Sequence, residues 1–249
     1  MFSQSSSRFA NQTALIQFHK DHQGKIVEFC GWDMPVTYGD QSLIESHLWT
    51  RKSASLFDVS HMLQTRWTGK DVVAFLHRIT VADLNALKDS QSTLSLFTNS
   101  NGGIIDDTVI NKESDTSFYI VSNAGCRDKD IAHFKEQLAK FKSENPNSNV
   151  SFEILDRSLI ALQGPKAVSV VEKLLGKSLT DLEFMHSWKL PYKGKEFYVS
   201  RCGYTGEDGF EISLPHESVV DFANELIKDE SVKLAGLGPR DSLRLEAGL

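Results

Sequence analysis

The 249 residues carry 33 Asp and Glu against 27 Lys and Arg, a net charge of −6, which argues against the basic face that a nucleic-acid binder needs. Hydrophobic residues make up 40% and charged residues 24%, enough for a real core, and no apolar run approaches the ~20 residues of a membrane-spanning helix. The three cysteines, Cys30, Cys126 and Cys202, are widely spaced and form no CxxC pair, so the chain fits a reducing compartment, and no metal site is expected from its eight scattered histidines.

Residues 1–12 begin Ser-rich, with one Arg and no acid in the first ten, and read as a disordered tail or the remnant of an organellar presequence. Thr13 is placed to cap a helix that runs to about His22 and stops before Gly24. A strand follows over 26–30. Pro35 and Gly39 break periodicity, so 32–39 reads as a loop. Residues 41–51 have a helical pattern with Leu43, Ile44, His47 and Leu48 on one face. The 56–62 stretch is mixed, and a lone His61 there reads as a hydrogen-bonded structural residue. Residues 63–67 alternate as a strand and 70–77 form a short helix. Residues 93–98 and 103–110 make a hairpin, with positive φ angles supplied by Asn101-Gly102. A further strand spans 117–123. Residues 127–142 form the clearest helix, with Ile131, Phe134, Leu138 and Phe141 on one stripe. The polar, Pro-containing 143–149 is the best linker candidate. Strands at 150–155 and 159–163, a helix at 166–175, paired strands at 197–201 and 210–214, and a helix at 217–228 complete the pattern. Pro239 suits the start of a last helix. Uneven alternation with hairpins rather than long crossovers gives an α+β fold of antiparallel sheets with flanking helices.

The 103–110 strand is unusual. Asp106 and Asp107 are adjacent carboxylates within an otherwise apolar run. Alternation sends them to opposite faces, Asp106 with Ile104, Thr108 and Ile110, and Asp107 with Ile105 and Val109. An unpaired carboxylate on a buried face is costly, so each needs a partner, a pocket or an exposed edge. Opposed directions argue against a paired-carboxylate acid/base couple. A solvated strand rim and a ligand cavity both remain open on this stretch alone. In the 210–214 strand Glu211 lies on the face opposite Phe210, Ile212 and Leu214, and three glycines in the preceding 202–209 connection imply special backbone angles or close approach to another group.

Six stretches occur in register: Gly31-Trp32-Asp33-Met34-Pro35-Val36-Thr37-Tyr38, Leu56-Phe57-Asp58-Val59-Ser60-His61-Met62, Gly102-Gly103-Ile104-Ile105-Asp106-Asp107, Leu162-Gln163-Gly164-Pro165, Gly203-Tyr204-Thr205-Gly206-Glu207-Asp208-Gly209-Phe210-Glu211-Ile212 and Gly238-Pro239-Arg240-Asp241-Ser242-Leu243-Arg244-Leu245-Glu246-Ala247-Gly248. Together they resemble the aminomethyltransferase family, the T-proteins of the glycine cleavage system, from about Ala14 to Leu249. The resemblance implies transfer of the one-carbon unit of aminomethyl-lipoyl H-protein to tetrahydrofolate, giving 5,10-methylenetetrahydrofolate, ammonia and dihydrolipoyl H-protein. It implies a cloverleaf of three domains, of which this chain would hold two: a split first domain, 13–42 with 150–249, and an inserted second domain, 43–149. The family's C-terminal barrel domain would be absent.

The same resemblance carries roles to residues. Asp107 matches the family's essential aspartate near the reacting folate nitrogens. Met62 and Asn123 match residues lining the folate site, and Tyr204, Glu211 and Arg240 match positions that hold the pterin and its surroundings. It implies a mitochondrial-matrix location, lipoylated H-protein as partner, and neither nucleic acid nor membrane. The main rival is a truncated paralogue that binds folate or H-protein with weak or no catalysis. An iron–sulfur-assembly relative ranks lower, since Cys202 lacks that group's flanking lysine, and a demethylase module ranks lower because no flavin domain precedes it.

Overall fold

A computed structural model describes residues 10–249. The tail or presequence expected over 1–12 lies outside them up to residue 9, and residues 11–12 are already structured as strand β1 (Asn11–Gln12). The chain continues through α1 (Ile16–Asp21), β2 (Gly24–Phe29), β3 (Trp32–Tyr38), α2 (Leu43–Lys52), β4 (Ala54–Asp58), β5 (Leu63–Thr68) and α3 (Val72–Ile79). Then come β6 (Ser92–Thr98), β7 (Ile104–Ser114), β8 (Ser117–Ser122), α4 (Arg127–Glu144), β9 (Ser151–Ile154), β10 (Ser158–Gln163) and α5 (Ala167–Leu175). Strands β11 (Ser187–Tyr192), β12 (Lys195–Ser200) and β13 (Gly209–Leu214), helix α6 (His216–Ile227), strand β14 (Val232–Leu234) and helix α7 (Leu237–Ala247) complete it.

Among the described residues three sheets result: β1-β3-β2, β11-β12-β13-β10-β4-β14 and β6-β7-β8-β5-β9. Pairing is antiparallel except at β1–β3 and β4–β14, which are parallel. The fold is therefore the expected α+β class. Strand β4 pairs with β10, so the six-stranded sheet takes residues on both sides of the five-stranded one, whose strands span 63–154. The supposed linker is tied down: α4 runs through Glu144, and Asn149 accepts from Asp71 N through its carbonyl (3.1 Å) while donating its own N–H to Asp71 Oδ2 (2.6 Å).

Both large sheets are buried on two faces, and strict alternation assigns each residue to a layer. In β8, Phe118 and Ile120 join a core with Val72, Phe75 and Leu76 of α3 and Phe134 and Phe141 of α4, while Tyr119 and Val121 point the other way. In β10, Ile160 and Leu162 pack with α5 and α6, while Leu159 and Ala161 point back. Tyr119, Val121, Leu159, Ala161, Phe57, Tyr198 and Leu243 meet in a third cluster, so the inner faces of the two sheets share one layer between the outer helices.

Trp67 fills the centre of the five-stranded sheet's helix-side core. It is fully buried, stacks on Phe152 (4.5 Å) and Phe75 (5.2 Å), meets Phe134 edge-on (5.2 Å), and donates to Thr65 Oγ1 (3.1 Å). Trp67→Ala is expected to cost about 3–5 kcal/mol in urea unfolding, because three rings lose their packing surface and cannot all close the void. A loss under about 1 kcal/mol would show that this core collapses freely.

Several local readings are corrected. Residues 32–38 form strand β3 rather than a loop: β1 covers only Trp32 and Asp33, so beyond them β3 has an open edge where the missing N–H of Pro35 is tolerated. Thr13 does not cap α1; its hydroxyl donates to Asp58 Oδ2 (2.7 Å). The last helix does not start at Pro239. It begins two residues earlier, at Leu237, and the proline still falls in the first turn, where no N–H has an intrahelical partner to lose. Helix α2 forms with a Ser42–Glu45 capping box, but its buried residues are Ser46 and Thr50, while Ile44 and Leu48 remain 68% and 59% exposed. Strands β11 and β14 add to the elements expected from the sequence.

Candidate functional site

The β6–β7 hairpin turns across five residues. Asn99 Oδ1 accepts from the N–H groups of Asn101 and Gly103 (both 2.9 Å), and only Gly102 takes a positive φ, +75°, so Asn101-Gly102 is not a two-residue primed turn. A register shift follows between Phe97 and Thr98, with Phe97 opposite Asp106 and Thr98 opposite Ile104. This bulge is why simple alternation fails at the strand's start. Ile104 is exposed although it was expected to share the face of Asp106, which is only 5% exposed.

The two acids differ sharply. Asp106 is buried and accepts from Asn123 N (2.9 Å) and Asn123 Nδ2 (3.0 Å). Asp107 is exposed, and its Oδ1 accepts from the same Asn123 Nδ2 (2.8 Å). One amide therefore ties both carboxylates together from the end of β8, where Asn123 precedes a short 3-10 turn, Ala124–Cys126. Alternation puts the two acids on opposite faces as expected, one buried and one exposed, and the Asn123 amide at the strand's edge reaches both.

On the facing sheet Glu211 is partly buried in β13. Burial raises its carboxyl above the ordinary value, opposed by the Arg240 charge and by a hydrogen bond with Cys202. Arg240, in the first turns of α7, has a buried Nη1 with no hydrogen-bond partner among the described residues, and burial pulls its guanidinium below its ordinary value. That guanidinium lies 5.1 Å from the centroid of Tyr204, whose ring is 37% exposed. The Tyr204 loop is placed by Gln163, whose Nε2 donates to Cys202 O (2.9 Å) and whose Oε1 accepts from Thr205 (2.8 Å). A Cβ on Gly203 would stand 1.9 Å from Gln163 Oε1, so this glycine is needed for close approach.

Glu211 lines a cavity between the sheets with Val109, Asn111, Tyr119, Val121, Leu159 and Cys202. Val109 and Asn111 stand two and four positions along β7 from Asp107, and Val121 two before Asn123, so the Asp107–Asn123 pair lies farther along the same two strands. Met62 packs beside the same inner layer without a hydrogen bond to the other five residues. The structure thus joins Asp107 to Asn123 by a hydrogen bond, sets Arg240 over Tyr204 with Glu211 near enough to feel its charge, and packs Met62 on the apolar inner layer.

Sequence reading missed the polar lining. Asn111 Nδ2 donates to Ser92 (2.7 Å) and Ser187 (3.0 Å), and Tyr198 donates to Asn111 Oδ1. The only signal was a polar residue inside an apolar strand. His61 also differs from expectation. It is buried, its Nδ1 has no partner among the described residues, and burial holds it down to about 4, so it is neutral at pH 7. The buried polar chain lies elsewhere: Tyr38 Oη meets His19 Nδ1 (2.8 Å) and His19 Nε2 meets Asp58 Oδ2 (2.9 Å).

The α+β chain thus carries acids on two facing sheets, Asp107 on β7 and Glu211 on β13. Residues 15–249 match the family described as the GCVT N-terminal domain, and the chain belongs to that family. It is 50% identical to "Aminomethyltransferase, mitochondrial" of Dictyostelium discoideum, over 98% of this chain and 62% of that protein. The mouse (Mus musculus) protein of the same name is 48% identical, over 96% of this chain and 59% of its own length. The chain thus spans about six tenths of the length of the curated relatives it matches. The crystal structure of glycine cleavage system aminomethyltransferase T from Bartonella henselae superposes with a TM-score of 0.87 at 36% identity, covering 96% of this chain and 63% of that one. A chain of heterotetrameric sarcosine oxidase from Corynebacterium sp. U-96 shares the fold alone, at 10% identity and a TM-score of 0.53.

Proposed function

We propose that this chain is a tetrahydrofolate-dependent aminomethyltransferase of the glycine cleavage system, with lipoylated H-protein as donor and the mitochondrial matrix as its location. The observation that carries the reading is a partly buried Glu211 within the field of the Arg240 guanidinium, one nitrogen of which lacks a partner among the described residues. Buried polar groups left unsatisfied are costly, and a ligand with matching donors and acceptors removes that cost. A pterin offers the complementary chemistry: its adjacent N–H and amino group donate side by side to one carboxylate, a charge-assisted fork. The relatives' printed names support the activity and the location.

When bound, tetrahydrofolate supplies two nitrogens that take up the methylene while the donor's C–S and C–N bonds break and the hydrogens leave on ammonia and the lipoyl thiol. The chain's residues supply position and charge. Glu211 would hold the pterin edge, with Arg240 offsetting its charge and Tyr204 covering the ring. Met62 and Asn123 would line the site. Asp107, held by Asn123, would orient the reacting nitrogen and stabilise the positive charge that develops there. Orientation and exclusion of water can be worth roughly 7–11 kcal/mol in favourable cases.

Single-turnover transfer from aminomethyl-lipoyl H-protein to tetrahydrofolate tests the proposal. Formation of 5,10-methylenetetrahydrofolate is the expected result. Intact folate binding without product would instead support a binding-only relative.

A further inference from the structure

Behind Asp106 lies a third carboxyl that the proposed chemistry does not use. Asp130, in the first turn of α4, is 0% exposed, and neither of its oxygens has a hydrogen-bond donor among the described residues. Its neighbours are the Asp106 carboxyl and the Ser122 hydroxyl. A buried carboxylate with only a hydroxyl nearby, beside a second carboxylate, is an unfavourable arrangement, and one proton shared between them relieves it. Asp106 is the residue that accepts both N–H groups of Asn123, and Asn123 Nδ2 reaches on to Asp107 (2.8 Å). Asp106, Asn123 and Asp107 are thus linked by hydrogen bonds, with the Asp130 carboxyl beside Asp106 on the helix side.

We propose that Asp130 is a positioning residue for the site: as a neutral acid it donates a proton-bearing hydrogen bond to Asp106, which fixes the Asn123 amide and through it the carboxylate of Asp107. The inference rests on the reading of Asp107 as the reacting-site acid, and the line of contacts itself does not depend on that reading.

The charged surroundings agree. Burial first, and the Asp106 charge second, push the Asp130 carboxyl up to about 7. Of the groups facing it, Asp106 comes from β7, with Asp107 beyond the amide. Lys129 comes from α4 and lowers the value. Ser122 of β8 also favours the charged form. Cys126 of the 3-10 turn has its thiol pushed up to about 11 and stays neutral near pH 7. A carboxyl raised in the folded state contributes stability that is complete below its unfolded value of about 3.9 and is lost as pH rises through about 7.

Asp130→Asn and Asp130→Ala separate the roles. The side-chain amide that Asp130→Asn introduces donates to Asp106 at every pH, while alanine donates nothing. The first readout is the Asn123 side-chain amide followed by proton–nitrogen NMR from pH 5 to 9, which needs no substrate. In the unmodified chain it is expected to titrate near neutrality, and in Asp130→Asn to stay flat. The second readout is the single-turnover transfer rate. Asp130→Asn is expected to keep the rate and lose its alkaline decline, and Asp130→Ala to lose roughly 10²-fold, the scale of a small misplacement at a reacting group. An Asn123 amide that titrates alike in both proteins overturns the proposal. So does an Asp130→Asn chain that is folded yet as slow as Asp130→Ala. Absence of transfer in the unmodified chain would defeat the proposed function and leave the amide titration as the deciding measurement.

Discussion

Asp107→Asn is expected to leave tetrahydrofolate binding within a few-fold of the unmodified chain and to cut single-turnover transfer by roughly 10²–10⁴-fold, the range of a positioned general acid–base or electrostatic group. The substitution is nearly isosteric. Asn123 Nδ2 donates to Asp107 Oδ1 at 2.8 Å, and an asparagine carbonyl oxygen accepts that bond equally well. Position is therefore retained and only the charge is lost. Asp107 is also exposed, so no burial energy changes with it. Folate affinity measured by fluorescence titration and transfer by rapid quench separate the two effects. Near-normal transfer would remove Asp107 from the chemistry.

Glu211→Gln is expected to act in opposite directions on the empty and the liganded chain. Burial holds the Glu211 carboxyl above its ordinary value, so ionising it costs folding energy. Its contribution to stability is complete below the unfolded value of about 4.3 and is lost as pH rises through the raised folded value. Glutamine carries no such cost, so thermal stability near pH 7 is expected to be equal or higher. Folate binding is expected to weaken by about 10–100-fold, since a bond to a charged group is worth roughly 1.5–3 kcal/mol and the glutamine amide turns a donor toward a donor. Calorimetric titration beside a melting curve reads both. Unchanged affinity would mean that Glu211 does not hold the ligand, and lost stability would mean that it serves the fold.

Much of the scaffold is legible in the sequence because its signals are local. The helices at α4, α5 and α6 follow from apolar spacing, and the paired strands β12 and β13 from alternation around a Gly-rich connection. Strand β3 reads as a loop because Pro35 breaks a sheet only where a neighbour needs its N–H, and that depends on the reach of β1. The apolar residues of α2 share one face in the sequence, yet Ile44 and Leu48 are exposed, because periodicity identifies a stripe without saying what covers it. Asp130 lies four residues before Phe134, on the helix's buried stripe, and in the sequence it looks like an ordinary first-turn acid.

The adjacent acids of β7 mark the division. The sequence by itself determined the α+β class, the family resemblance and the six positions it singles out, since these rest on residue identity and on spacing within single elements. Tertiary structure alone decided what the acids do to one another. Packing against the helix side buries Asp106 and leaves Asp107 exposed, Asn123 reaches back from another strand to hold both, and Asp130 arrives from a helix more than twenty residues on. Charge, burial and hydrogen bonding of a carboxyl depend on the groups around it in space, and those come from elements whose order along the chain gives no sign of their meeting.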